Sequence, residues 1–224
     1  MDWDAIRLSL SLAAWTIAIL LPTGILLARW LATSRFAGRH WVEGLLALPL
    51  VLPPTVLGFY LLVAMGGTSA LGAWFTAVTG TTLAFSFTGL VVASVIFNLP
   101  FAVQPIQRAL EAIDPDVREA ALCCGMTRWQ TLTRIELPLA WPGVLSAAVL
   151  TFAHTLGEFG VVLMVGGNIP GETRTVALAI YDRAQSLDAG SAGRMSLLLL
   201  AISFVTIAVS YGLGGRVPGS RRRR

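Results

Sequence analysis

The chain has 224 residues, of which 55% are hydrophobic and 12% charged, and its formal net charge is +4. Soluble domains carry about 25% charged residues, so this composition, with a mean hydropathy of +0.74, excludes a water-soluble globular domain and makes the bilayer the solvent. All 16 basic residues are Arg; with no Lys and no Gly-rich phosphate loop ending in one, the chain carries no ATP-hydrolysing motif of its own.

A hydrocarbon core of about 30 Å needs about 20 apolar residues of helix. The uncharged run Leu8 to Ala28 meets that length and predicts a first span over about 6–29. It exceeds the roughly 7–15 residues of a signal peptide's apolar region, and Arg29 to Arg39 follow it rather than precede it, so it is expected to stay as a membrane helix. The second uncharged run, Gly44 to Gln107, is divided by Gly66-Gly67-Thr68-Ser69 and Thr79-Gly80-Thr81-Thr82, which read as loops. Spans are therefore expected over about 41–65 and 85–108, with Ala70 to Val78 too short to cross and either interfacial or re-entrant. Further spans are expected over about 139–165 and 194–214. Between them, about Thr173 to Leu187 carries Arg174, Asp182 and Arg183. Such charges cost roughly 2.5–3.5 kcal/mol each at the bilayer centre, so this segment is expected as an amphipathic outer helix with Val176, Ala179, Ile180 and Leu187 near one face. Pro22, Pro49, Pro53, Pro54 and Pro142 predict kinks.

Five crossings satisfy the charge rule for cytoplasmic loops. Arg29, Arg35 and Arg39, then Arg108, Arg118, Arg128 and Arg134, then Arg216 and Arg221 to Arg224 all fall on one side if the N-terminus is outside and the C-terminus cytoplasmic. The terminal Arg run beside a membrane points to anionic lipid or to topology rather than to nucleic acid. Cys123 and Cys124, on the reducing side and without a neighbouring His, read as small helix residues and not as metal ligands. His40 and His154 do not have metal-site spacing, and no nucleophile stands beside a base and an orienting acid, so neither a metal nor a catalytic residue is assigned.

The cytoplasmic loop, about 111–137, has its own start and stop signals. Asp114 caps a helix with Pro115 at the first position and Asp116 at the positive end of the dipole, and Gly125 suits the left-handed residue that closes it. Thr127 and Gln130 match a capping box opening a second short helix with Leu132 and Ile135, which Pro138 is expected to stop. Ala120 and Ala121 make one face thin, and Arg118 and Glu119 offer charges that orient a partner, so the loop reads as a knob for a groove on another protein. An interfacial loop helix, Ala-rich because Ala favours helix, is the other reading.

Three residues within the spans are candidates for the transport path. Glu158 is the acidic residue in the outer half of the fourth span, and His154 lies one turn earlier. Ionisable residues at membrane depth are functional candidates. Glu158 reads as a gate or latch, or as a carboxylate hydrogen-bonded to His154 or to loop amides. Asn98, before Pro100, either satisfies the carbonyl that Pro frees or contacts cargo. No Arg or His array in the spans is suited to tight anion binding, so high-affinity recognition is expected in another subunit.

The pattern Glu119-Ala120-Ala121, three residues, Gly125, nine residues, Ile135, one residue, Leu137-Pro138 resembles the signature of permease subunits of ABC importers. The stretches Leu48 to Phe59, Asn98-Leu99-Pro100-Phe101, Leu156-Gly157-Glu158-Phe159-Gly160 and Gly166 to Gly171 are similar to molybdate permeases, with sulfate and tungstate permeases sharing much of them. The likeness runs from the first span to about Tyr181. His154 departs from it, standing where many relatives are expected to carry Arg. The resemblance implies an all-α membrane protein with the type I ABC importer permease fold. It also implies a coupling helix that docks on an ATPase, a homodimer around the anion path, and two cytoplasmic ATPase subunits carrying ATP and Mg. A periplasmic oxyanion-binding protein and a place in the bacterial inner membrane complete the expectation. A self-contained channel or secondary transporter is the reading from another class.

Overall fold

The structure is a computed structural model and describes residues 1–34 and 36–214. Helix α1 (Trp3–Thr33) opens on Asp2, whose carboxylate accepts the Ala5 N–H at 3.0 Å. Its 31 residues extend about 46 Å at 1.5 Å each, longer than the bilayer core, so its C-terminal turn carries Arg29 to the polar side.

The expected span over 41–65 is not one straight helix. It is divided into α2 (Arg39–Val51) and α3 (Pro54–Met65), which meet at a bend of 110°. Pro53 and Pro54 have no N–H to continue the ladder of α2; Leu52 turns extended and Pro54 takes the first position of α3. The short α4 (Ala70–Thr79) matches the expected non-crossing piece; Ser69 caps it and left-handed Gly80 ends it.

Helix α5 (Phe87–Glu111) is the central element, packed against α1 and α8. The loop helices α6 (Pro115–Cys123) and α7 (Arg128–Thr131) follow, then a π-helical turn, Leu132–Glu136, and α8 (Leu137–Gly157). Ala28 and Leu31 of α1, Val103, Ile106 and Leu110 of α5, and Ala140, Val144 and Ala147 of α8 form one buried cluster. The backbones approach closely at Gly143, where a β-carbon would lie 2.7 Å from the Pro105 carbonyl oxygen. Small residues at such crossings supply the van der Waals contact that holds helices together in lipid, where no hydrophobic force acts between them.

The expected fourth span, 139–165, is also broken. Gly157 ends α8, Glu158 is extended, and α9 (Gly160–Gly166) starts afresh against α3. Gly58 and Gly160 allow that contact; a β-carbon at either would lie 2.8 Å from Met164 Cβ or Pro54 Cβ respectively. The helix expected on the outer side is α10 (Val176–Gln185), with Val176 and Ala179 buried against Ala5, Ile6 and Met195, and Ile180 packed at the edge. Leu187 does not share that face: it lies past the helix end at φ 59 and is 91% exposed. The last helix, α11 (Ala189–Gly214), begins earlier than expected because Asp188 accepts the Ser191 N–H at 3.1 Å. Hydrogen bonding from Ser191, side chain then backbone, holds the Asp188 carboxyl below its ordinary value.

Among the described residues four helices are long and apolar enough to cross a membrane, and the bent α2–α3 pair makes up to five. Ion pairs bring the C-terminal end of α1, the start of α2, the end of α5, α6 and the start of α8 to one end of the bundle. Arg29, Arg39, Arg108 and Arg118 therefore share that end. Arg35, Arg216 and Arg221 to Arg224 lie outside the described residues.

Candidate functional site

The loop signals give the local structure expected of them. Asp114 accepts the Asp116 N–H at 3.0 Å, with Pro115 at the first helical position. Gly125 sits at φ 79, where the Met126 N–H reaches the Ala121 carbonyl and the Gly125 N–H reaches that of Leu122, the paired bonds of a Schellman end. The capping box is present: Thr127 Oγ1 accepts the Gln130 N–H at 3.2 Å and Gln130 Oε1 accepts the Thr127 N–H at 2.8 Å.

Two expectations about the loop are corrected. Pro138 does not stop the second helix; α7 passes through the π turn into α8, with the Leu137 N–H bonded to the Leu132 carbonyl. The wider turn takes up the missing Pro donor and relieves the ring's clash with the preceding turn. Ile135 and Leu137 are half-buried along that seam and Pro138 is exposed. The second correction concerns the thin face. Glu119 and Ala120 are exposed with Gly125, whereas Ala121 is buried and Arg118 points inward. The presented surface is Val117, Glu119, Ala120, Leu122 and Cys123.

Arg118 turns inward to a residue that sequence reasoning missed. Glu136, with its side chain 1% exposed, receives Arg118 Nε on Oε1 at 2.7 Å and Arg29 Nε on Oε2 at 2.6 Å. The remaining Arg118 nitrogens donate to the carbonyls of Ile113 and Leu110, and Arg29 Nη2 donates to the Arg128 carbonyl at 2.8 Å. A lone carboxylate at the foot of an uncharged run was the signal in the sequence, since a buried charge needs partners. Which Arg residues supply them depends on the fold. A second set joins α2 to α5: Arg39 holds Glu43 and Glu111, and Gln107 donates to both carboxylates at 2.7 and 3.0 Å.

At membrane depth the structure unites two of the three candidates. Asn98 Nδ2 donates to the Ser94 carbonyl at 2.8 Å and lies 3.2 Å from Ser94 Oγ, while Asn98 Oδ1 faces His154 Nδ1 at 3.0 Å. Ser94 Oγ continues to Thr16 Oγ1 at 2.9 Å, and Thr16 reaches the Leu12 carbonyl at 2.8 Å. The carbonyl that Pro100 leaves without its usual donor belongs to Ile96, so Asn98 is not the repair for that proline. His154 lies against Phe97 and Phe101, with ring centroids at 4.8 and 4.0 Å. Because the Asn98 amide N–H is committed to Ser94, its oxygen calls for a proton on His154 Nδ1, and the neutral ring then presents Nε2 as an acceptor. The four side chains form a wire of neutral groups in which Thr16, Ser94 and Asn98 are each bonded on both sides. Ser94 and Thr16 were missed by the sequence reading, although Ser94 stands one helical turn before Asn98.

Glu158 is not joined to His154 among the described contacts. Its Oε1 accepts the Val161 N–H at 2.8 Å, satisfying an orphan donor at the start of α9. Thr151 Oγ1, buried on α8, has no hydrogen-bond partner among the described residues.

Residues 21–217 match the family described as "Binding-protein-dependent transport system inner membrane component". The chain is 47% identical to the molybdenum transport system permease protein ModB of Azotobacter vinelandii over 94% of its own length and 93% of the relative's. It is 38% identical to ModB of Escherichia coli K12 over 100% and 97%. The sulfate transport system permease protein CysT of E. coli K12 is 32% identical over 88% of this chain and 72% of its own. In fold, the chain is similar to a bacterial ABC transporter involved in alginate import, with TM-score 0.78 and 20% identity, covering 97% of this chain and 80% of that one. It is likewise similar to the MetNI methionine ABC transporter, with TM-score 0.70 and 19% identity, covering 97% and 94%.

Proposed function

Because the chain belongs to the family of binding-protein-dependent transport system inner membrane components, we propose that it is the permease of an ATP-driven importer of molybdate. The chain is a multi-pass membrane subunit, and the cargo is a tetrahedral oxyanion handed over by an external binding protein. The observation that carries the reading is α6. It is a short helix, capped at both ends, that presents Glu119 and Ala120 to solvent at the Arg-rich end of the bundle. With the N-terminus outside, that end is cytoplasmic by the positive-inside rule, where an ATPase subunit has access to it.

Two copies of the chain enclose the anion path, since up to five spans per chain leave one copy small for an alternating-access pore. Two ATPase subunits hold ATP and Mg and perform the hydrolysis. Their closure draws the two α6 helices together and opens the path outward; hydrolysis resets it. The neutral chain from Thr16 to His154 puts no fixed charge beside the path, which suits passage of a dianion, because tight binding at this depth slows release. Half-buried His154 is the accessible end of that chain at the gate, buried Asn98 holds its ring, and Glu158 positions the α8–α9 break beside it. Sulfate is the second reading, favoured by the likeness to CysT.

Reconstitution with a cytoplasmic ATPase and a periplasmic binding protein tests class and cargo together. ATP hydrolysis and uptake are expected to rise with binding protein loaded with molybdate, and to rise less with sulfate. Uptake without any ATPase subunit identifies a self-contained transporter instead. Ala120→Trp, which adds bulk on the exposed face, is expected to abolish co-purification with the ATPase while the permease still folds.

A further inference from the structure

The helix that meets the ATPase is held to the bundle by very little apolar surface. Ala121 is its buried residue, and α6 packs chiefly on α7. Arg118 supplies the rest. From one side chain it reaches Glu136 at the head of α8 and the Leu110 and Ile113 carbonyls at the end of α5. Glu136 in turn takes Arg29 of α1 on its other oxygen. The three charged groups lie along an open cleft of about 490 Å³, shared with Leu26, Trp30, Leu122 and Arg128.

We propose that Arg118, Glu136 and Arg29 form the clasp through which displacement of α6 reaches α1 and α8, making Arg118 and Glu136 positioning residues for transport. The proposal rests on the reading of α6 as the ATPase contact. Its physical basis is the difference between an ionic joint and a packed one. Arg carries a long stem with a rigid fork, and the cleft gives the stem room, so the pairs stay closed while helices shift by an ångström or two. An apolar seam such as that at Gly143 is close-packed and moves only as a block. Glu136 has one oxygen for each Arg, so a pull on Arg118 turns the carboxylate and is felt at Arg29. The sequence places one end of this clasp next to Glu119, so the residue that meets the ATPase and the residue that holds the bundle are neighbours on one helix.

Two variants separate a clasp from simple support, and both keep one Arg on Glu136. Arg118→Gln is expected to speed amide exchange of residues 116–123 by roughly tenfold, as local opening of α6 becomes easier. In vesicles with ATPase and molybdate-loaded binding protein, it should lower molybdate moved per ATP by roughly fivefold. Arg29→Gln leaves Arg118 on Glu136, so α6 exchange is expected to stay at the wild-type rate while molybdate per ATP falls by a similar factor. A purely structural role does not produce that split. Arg118→Lys, which restores charge but not the three-way fork, should recover part of the ratio. Unchanged molybdate per ATP in both Gln variants overturns the clasp, as does α6 exchange that is insensitive to Arg118→Gln. A wild-type complex that neither hydrolyses ATP nor moves molybdate overturns the underlying function instead, and the exchange measurement then decides the clasp alone.

Discussion

Two of the polar constellations in this protein, both of which join α1 to α8, are built from different chemistry. At the Arg-rich end, Glu136 is buried between the guanidinium groups of Arg29 and Arg118. At membrane depth, Thr16, Ser94, Asn98 and His154 reach across α1, α5 and α8 by hydrogen bonds between uncharged groups. The difference follows from what surrounds each. The clasp lies beside an open cleft and its Arg side chains are 20% and 18% exposed, so water screens the excess positive charge and lowers the cost of desolvation. The chain has Thr16 and Asn98 at 0% exposure; a fixed charge there has no solvent to share it. Polar groups at depth can therefore be joined across helices only if each donor meets an acceptor.

That contrast orders the effects of mutation. Glu136→Leu leaves two guanidinium groups facing each other without their carboxylate; breaking a buried pair costs about 3–5 kcal/mol, and the partial exposure of both Arg places this one near about 3. Thermal unfolding of the purified permease in detergent should show it as the largest loss of the set. Asn98→Leu removes the centre of the neutral wire, stranding the His154 Nδ1–H and leaving Ser94 Oγ with Thr16 alone, at about 1–3 kcal/mol. The same thermal assay checks it, and uptake should fall further than stability does if the orientation of His154, which Asn98 holds, sets the gate. Thr16→Val deletes only the terminal member, and membrane hydrogen bonds average about 0.6 kcal/mol; a loss as large as that of Asn98→Leu breaks the view of Thr16 as the end of the wire. Glu158→Gln keeps an oxygen for the Val161 N–H, so both stability and uptake should stay near wild type. Loss of uptake in a stable Glu158→Gln variant assigns the carboxylate charge to the gate.

Much of the loop was legible because its signals are local. Asp114, Pro115, Gly125 and the Thr127–Gln130 box each act within four residues of themselves, so spacing alone predicts their bonds. Pro53 and Pro54 announced a kink but not its size; a missing donor ends a helix, while the packing of α3 on α9 selects the 110° turn. Pro138 shows the limit from the other side, since a π turn carried the helix through a residue expected to stop it. Of the candidate path residues, Asn98 and His154 were recognised singly by their polarity at depth, yet their pairing spans 56 positions.

The sequence by itself determined that this is a helical membrane protein, where its loop helix starts and ends, and which family it resembles, because hydropathy, capping and motif spacing are read from near neighbours. Only the tertiary structure decided that Ala121 and Arg118 turn inward, that Glu158 caps α9 instead of meeting His154, and that Glu136 is the hub between α1, α6 and α8. Arg29 and Glu136 stand 107 positions apart; a buried carboxylate announces that it needs cations, but packing of the helices chooses which ones arrive.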